Sequence, residues 1–319
     1  MSASGILAGM EHLPIGIFDS GLGGLTVARE VMDALPDERI VYFGDTARCP
    51  YGPRELSEVR RFVLEIGSWL EMRPVKLVVI ACNTATAAGL VLAQRTFDVP
   101  VIGVVEPGAR AAARATINRN VGVIGTVGTV ESGAYSSAVR AIDAGVTVFS
   151  VPTPKFVDVV EAGLRRGPGT LEEWLAESSE VFIRPSFYEL ARDYLSPLKR
   201  SGVDTLVLGC THFPLLQAAI QQVMGPGVRL ISSAEETARE VAETLALKGS
   251  LARAGSVSGL PHRFATTGDA AEFARLGSRV LRSRITDVEH VSLGELVAMP
   301  THPRLAALDE MMGEEAACG

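Results

Sequence analysis

Long hydrophobic runs, basic clusters and closely spaced cysteines are all missing from this chain of 319 residues. No apolar run approaches the roughly 20 residues of a membrane-spanning helix, so we expect no membrane association. The segment 1–12 lacks the basic region and continuous apolar core of a signal peptide, and we therefore expect a cytoplasmic protein. The net charge is -7 with scattered lysines and arginines, which predicts no nucleic-acid partner.

Cysteine is scarce, and the four that occur are far apart: Cys49, Cys82, Cys210 and Cys318. No pair has the spacing of a CxxC or zinc-knuckle motif, so we predict no metal site. A reducing cytosol disfavours a disulfide framework, which leaves inert core thiols or reactive ones. A single buried cysteine is more often an inert core residue, so only its position can indicate chemistry.

The composition is that of a packed globular protein, with 47% hydrophobic and 21% charged residues. A chain of this length suits two domains or one large α/β domain. Short apolar runs that end in glycine-rich or polar turns alternate with helical segments, which predicts an α/β fold.

One cysteine follows directly after a strand. The β-branched run Val78–Ile80 predicts a strand buried on both faces, and it leads to Cys82. Asn83 and Thr84 come next, and both side chains can form hydrogen bonds. Because open α/β sheets bind ligands beyond the carboxyl ends of their strands, Cys82 lies where such proteins carry out chemistry.

The same construction returns in the second half of the chain. The apolar run at 205–208 predicts another buried strand, which leads through Gly209 to Cys210. Thr211 and His212 follow, so two polar residues again come after the thiol. Two such strand-end cysteines in one chain indicate that the two thiols act as a pair.

Two glycine-rich turns support an internal repeat. The strand at 14–18 ends in Asp19-Ser20-Gly21-Leu22-Gly23-Gly24, and in the segment 121–132 an apolar strand ends in a similar turn before a helix. These glycines let the backbone approach a ligand, but they make neither GxGxxG nor a phosphate loop. A purely structural turn remains an alternative. Because each half also has a strand-end cysteine, we interpret the halves as diverged copies of one unit.

The segment 44–53 holds two prolines and two glycines, which predict an ordered loop. The Tyr51 side chain and the Gly52 N–H could line a pocket there, and a purely structural turn is the alternative.

If the strand ends of both halves share one cleft, Cys82 and Cys210 approach a ligand from opposite sides. Opposed groups that each carry one proton suit a racemisation or epimerisation, which removes a proton from one face of a stereocentre and returns one to the other. A thiol has an ordinary pKa of about 8.5, so it needs assisting groups near neutral pH. We predict Asp19 beside Cys82, and Glu161 and His212 near Cys210, as these catalytic groups.

Other polar groups near the strand ends are predicted to hold the carboxylate and amine of a substrate. The alternative for Glu161 is a solvated helix residue, and for His212 a structural histidine. The predicted substrate-binding residues are Asp19, Ser20, Tyr51, Gly52, Asn83, Thr84, Thr211 and His212.

Six motifs of the chain resemble the glutamate racemases: 18–27, 44–52, 81–87, 104–108, 122–126 and 208–216. The resemblance implies two similar α/β domains, mostly parallel sheets flanked by helices, an active site in the interdomain cleft, and no cofactor. It implies L-glutamate converted to D-glutamate for peptidoglycan, with Cys82 and Cys210 as acid/base thiols assisted by Asp19, Glu161 and His212. In enzymes with this motif order, the first cysteine deprotonates D-glutamate. Thr153 stands where many members have a cysteine.

We expect a first domain of residues 1–105 plus 232–319 and a second of residues 106–231, and a homodimer in solution. The sequence Glu106-Pro107-Gly108 predicts a break before a helix that begins at Ala109, and partial disorder is expected after about residue 290. Two rival functions stay open: an aspartate racemase, and a non-catalytic amino-acid-binding regulatory protein on the same scaffold.

Overall fold

The computed structural model describes residues 10–166, 170–175, 185–255, 260–299 and 302–304. Ten strands within these ranges form two sheets: β1 Ile15–Asp19, β2 Ile40–Gly44, β3 Leu77–Ile80, β4 Val101–Gly103, β5 Asn120–Gly125, β6 Thr147–Pro152, β7 Thr205–Gly209, β8 Arg229–Ser232, β9 Arg263–Thr266 and β10 Val288–His290. The α-helices that accompany them are Leu25–Ala34, Leu56–Glu71, Asn83–Thr96, Val105–Ala115, Val127–Glu131, Ala134–Ile142, Pro154–Arg165, Pro185–Arg200, Gln217–Met224, Ser233–Leu247, Ala270–Leu281 and Leu293–Val297.

Both sheets are parallel. The first has the strand order β10-β9-β2-β1-β3-β4 and the second the order β6-β5-β7-β8. The central strands β1, β3 and β7 are buried along their whole length, because helices cover both faces of each sheet. That double burial explains the continuous apolar runs in the sequence, and the predicted α/β fold is confirmed.

The chain passes between the two sheets twice. It leaves the first sheet after β4 through the helix Val105–Ala115 and returns after β8 through the helix Ser233–Leu247. These two helices pack on each other, and the second also packs on the helix Leu25–Ala34. The domain boundaries near residues 105 and 232 stay a prediction, and both fall beside these crossings.

The helix after β4 begins earlier than the sequence predicted. It starts at Val105 and includes Glu106, Pro107 and Gly108, so the predicted break before Ala109 is wrong. Proline is accommodated in the first turn of a helix because the N–H groups there have no intrahelical acceptor.

The first part of the C-terminal tail is ordered and packs on the helix Leu56–Glu71. Ser292 and Glu295 form a capping box that starts the helix Leu293–Val297, and Leu296 on this helix is fully buried. This helix lies within the region for which partial disorder is expected; 305–319 lie outside the described residues, and the expectation stays a prediction.

Among the helices of the described segments, none combines the length and apolar character that crossing a bilayer requires.

Candidate active site

The two strand-end cysteines line the same cavity. Cys82 is the N-cap of the helix Asn83–Thr96, and its Sγ accepts a hydrogen bond from the Ala85 N–H at 3.4 Å. Cys210 follows Gly209, the last residue of β7, and both thiols are less than 10% exposed. The sulfurs approach from different sheets, as the paired-thiol hypothesis requires.

Both halves of the chain contribute to this cavity, which has a volume of about 30 Å³. We call it the thiol cavity, and its lining residues are Ser20, Cys49, Pro50, Tyr51, Gly52, Cys82, Asn83, Thr84, Thr126, Val157, Cys210, Thr211 and His212. Seven of the eight predicted substrate-binding residues are in this set. The exception is Asp19, which lies beneath the wall and accepts a hydrogen bond from the Thr211 hydroxyl at 3.5 Å.

A chain of polar contacts leads away from Cys210. His212 Nδ1 lies 3.8 Å from Cys210 Sγ, and His212 Nε2 lies 2.9 Å from Glu161 Oε1. Glu161 uses its other oxygen, Oε2, to accept a hydrogen bond from Arg165 Nη1 at 2.9 Å. The helix Pro154–Arg165 thus brings its glutamate to the histidine, so the prediction of a Glu161 carboxylate near Cys210 matches this geometry.

The electrostatic surroundings of His212 favour its protonated form. Burial alone would lower the pKa of His212, but hydrogen bonds and charges of Cys210 and Glu161 raise it well above its ordinary value of 6.5. Burial alone would raise the pKa of Glu161, but His212 and Arg165 hold it below its ordinary value of 4.5. An imidazolium next to a thiol stabilises the thiolate form, so this side of the cavity is suited to a base.

The Cys82 side is different. Burial raises the pKa of Asp19 above its ordinary value of 3.8, although the charge of His212 and three backbone N–H groups oppose the shift. Burial and then the charge of Asp19 raise the pKa of Cys82 to about 12, although the Ala85 N–H and Ser20 lower it. Cys82 is therefore a neutral thiol near neutral pH, suited to donate a proton.

Comparison with known proteins places this geometry in a family. The sequence model of the Asp/Glu/Hydantoin racemase family matches residues 25–241. The glutamate racemase of Parafrankia sp. (strain EAN1pec) is 49% identical over 279 residues, which cover 88% of this chain and 94% of that protein. The chain belongs to the glutamate racemase family. The predicted family and the predicted enzyme class, an amino-acid racemase, are confirmed.

Solved glutamate racemases share the fold. The structure of an isoform from Bacillus anthracis is 42% identical with a TM-score of 0.77, and the match covers 89% of this chain and 98% of that one. The glutamate racemase from Francisella tularensis in complex with D-glutamate is 30% identical with a TM-score of 0.76, again over 89% and 98% of the two chains.

Tyr51 makes a buried contact that was not predicted from the sequence of this racemase. Tyr51 lies in the cavity wall, but its hydroxyl donates a hydrogen bond to the buried Asp45 carboxylate. Asp45 also accepts from Arg48 Nε at 2.6 Å and from the Thr267 hydroxyl at 2.7 Å. The Tyr51 hydroxyl thus stabilises the loop 44–53, and Gly52 presents backbone to the cavity. Asp45 and Arg48 were not identified from the sequence as supports of this loop. The bonds of the Asp45 carboxylate to Arg48 and Tyr51 are local, and only its partner Thr267 is distant in sequence.

Sequence reasoning also missed a threonine cluster that joins the two halves. Thr84 Oγ1 lies 2.8 Å from Thr126 Oγ1 and 3.1 Å from Thr129 Oγ1. A Cβ on Gly52 would lie only 2.7 Å from the Thr126 Cβ, so glycine is required for this close approach. The glycine turn of the second repeat was the available signal, since Thr126 occupies the position after its strand.

Proposed function

We propose that this chain interconverts L- and D-glutamate by a two-base mechanism in which Cys82 and Cys210 act on opposite faces of the α-carbon. The observation that carries this proposal is that both buried thiols line one cavity and have different neighbours. Cys210 lies beside His212, which Glu161 holds, whereas burial and the charge of Asp19 raise the pKa of Cys82. A two-base racemase needs this asymmetry, since one group must accept a proton while the other holds one.

For L-glutamate, the Cys210 thiolate removes the α-proton and becomes a neutral thiol. The electron pair stays on the substrate as a planar carbanion, delocalised into its carboxylate. The His212 imidazolium, 3.8 Å from the sulfur and held by Glu161, stabilises the thiolate before the transfer.

The Cys82 thiol then donates its proton to the other face, and D-glutamate forms. Cys82 becomes the thiolate, and it is the base when D-glutamate is the substrate. Asp19 assists on this side, because burial and then its charge raise the pKa of Cys82 and so keep the proton on this thiol until the transfer. The enzyme is reset when one proton moves from Cys210 back to Cys82.

Hydrogen-bond donors around the thiols hold the substrate. The Asn83 amide nitrogen is buried and has no hydrogen-bond partner within the described part of the chain. It, the Gly52 N–H and the hydroxyls of Ser20, Thr84 and Thr211 suit the substrate carboxylates. The Gly52 N–H and these hydroxyls also suit the negative charge that develops on the α-carboxylate.

Substrate entry requires the cleft to widen. The thiol cavity holds only about one or two water molecules, and glutamate is several times larger. A second cavity of about 340 Å³ shares Cys49 and Glu161 with the site and is the natural route for entry.

The test is racemisation by purified protein without added pyridoxal phosphate, followed by circular dichroism in both directions. Cys82→Ala and Cys210→Ala should each abolish it, whereas Cys49→Ala, which removes the third thiol of the wall, should leave turnover detectable. Cys→Ser variants should show opposite biases in solvent-deuterium exchange, because each thiol serves one enantiomer. Full racemisation by either Cys→Ala variant would refute the two-thiol mechanism.

Related measurements distinguish the two alternative functions, an aspartate racemase and a non-catalytic amino-acid-binding protein. An aspartate racemase would prefer aspartate in a substrate panel, and a binding protein would take up glutamate in calorimetry without solvent deuterium entering the α-position. We further propose, from the family resemblance, a role in peptidoglycan synthesis, a cytoplasmic location and a homodimer; sedimentation of the purified chain tests the dimer.

A further inference from the structure

A buried hydrogen bond connects the two halves of the site beside the thiols. Tyr135, on the helix Ala134–Ile142, donates its hydroxyl proton to Asn83 Oδ1 at 2.7 Å. Asn83 is the first residue of the helix that Cys82 caps, so the bond joins the helices of different sheets. Both side chains are at most 3% exposed.

In the structure the oxygen end of the Asn83 amide faces Tyr135. The oxygen and nitrogen ends of an asparagine amide have nearly the same shape, so their hydrogen-bond partners decide the orientation. With Oδ1 bonded to Tyr135, Nδ2 remains as a buried donor, and it has no partner among the described residues. A buried donor without an acceptor is costly and rare in proteins, which indicates that a ligand supplies the acceptor.

The backbone leaves room for the tyrosine ring in this position. A Cβ on Gly209 would lie 3.0 Å from Tyr135 Cε2, and a Cβ on Gly108 would lie 3.4 Å from the hydroxyl oxygen. Gly209 immediately precedes Cys210, so the ring lies against the backbone that carries the second thiol. The absence of a side chain at Gly209 therefore leaves room for the tyrosine ring.

We propose that Tyr135 is a positioning residue that orients the Asn83 amide so that Nδ2 donates to a carboxylate of the substrate. Because the two residues belong to different halves, the bond holds the donor from across the cleft. The inference rests on the proposed function, since it assigns the ligand of Nδ2 as glutamate.

The experiment is Tyr135→Phe, which removes the hydroxyl and keeps the ring. Loss of one buried hydrogen bond that orients a binding group should raise KM for both enantiomers by about three- to tenfold. The turnover number kcat should change by less than about twofold, because Asn83 contributes binding in both the ground and the transition state. A purely structural role would instead lower the unfolding midpoint and the active fraction and leave KM unchanged.

A double-mutant cycle with Asn83→Ala tests whether Tyr135 acts through the amide. In the Asn83→Ala background, Tyr135→Phe should change KM by less than about twofold. If the effects of Tyr135→Phe and Asn83→Ala on the free energy calculated from KM are fully additive, the proposal is overturned. Tyr188→Phe is the control, since the Tyr188 hydroxyl bonds Gln222 at the surface, and it should alter neither parameter.

Binding measurements keep this test separate from the test of catalysis. Calorimetry with D-glutamate should show the same non-additive cycle in the dissociation constant, whether or not the protein turns substrate over. A chain that binds glutamate with this coupling but does not racemise it would refute the proposed function and retain the Tyr135 assignment. Equal affinity of wild type and Tyr135→Phe would refute the assignment alone.

Discussion

Gly23→Ala is a sharp steric test of the site. Gly23 belongs to the turn after β1, and it faces the residues that follow Cys210. A Cβ at this position would lie 2.4 Å from Thr211 Oγ1 and 2.6 Å from both Nδ1 and Cε1 of His212. The backbone at Gly23 is outside the left-handed region, so the added methyl group acts by steric contact and not by backbone strain.

The size of the disturbance follows from these distances. Non-bonded heavy atoms are at their best separation at about 3.5–4.0 Å, so the neighbours must move by about 1 Å. The His212 ring has little freedom to yield, since it is buried and its Nε2 is held by Glu161 at 2.9 Å. A displacement of about 1 Å in a catalytic site lowers the rate by about 100-fold, and overpacking costs about 1–3 kcal/mol of stability.

The assay is kcat/KM for both enantiomers together with the urea unfolding midpoint. Because the two enantiomers have equal free energy in water, kcat/KM must fall by the same factor in both directions. Gly227→Ala is the matched control, since a Cβ there meets no described atom within 4 Å and its φ is not positive. It should leave activity and stability unchanged.

Two results would contradict the steric prediction. If the Gly23→Ala variant is as active as the wild type, the first glycine turn is not in close contact with Thr211 and His212. A large loss of stability with normal specific activity in the folded fraction would mean that the turn supports the fold and leaves the catalytic geometry untouched.

Three further changes have expected outcomes. Glu161→Gln should lower the free energy of unfolding most between pH 4.5 and 6.5, where Glu161 is ionised and His212 is protonated in the folded chain. The contribution of the pair is lost as Glu161 takes up a proton at lower pH and as His212 loses its proton at higher pH. Urea unfolding measured over a series of pH values tests this, and a difference that does not depend on pH would contradict it. Leu296→Ala should cost about 2–5 kcal/mol by chemical denaturation, and an unchanged midpoint would mean that the helix Leu293–Val297 is not docked. Lys76→Met should cost about 3–5 kcal/mol, because it leaves the buried Glu38 carboxylate unpaired, and Glu38→Leu in the same chain should restore most of that loss.

The sequence by itself determined the fold class and the two thiols. Parallel strands buried on both faces appear as continuous apolar runs, so β3 and β7 and the cysteines after them could be predicted from local pattern alone. The polar residues after each cysteine, Asn83 and His212 among them, could be predicted for the same reason. The helix that starts at Val105 was predicted too late, because proline is compatible with either a break or a first helical turn.

Only the tertiary structure decided how these residues meet. A glutamate on an amphipathic helix resembles a solvated residue, and its place beside His212 depends on how the helix Pro154–Arg165 packs. The bond from Tyr135 to Asn83 and the one from Thr267 to Asp45 likewise depend on docking of distant segments. Local periodicity specifies which face of an element is buried, but the partner across the cleft is set by the packing of two sheets, which no short stretch of sequence encodes.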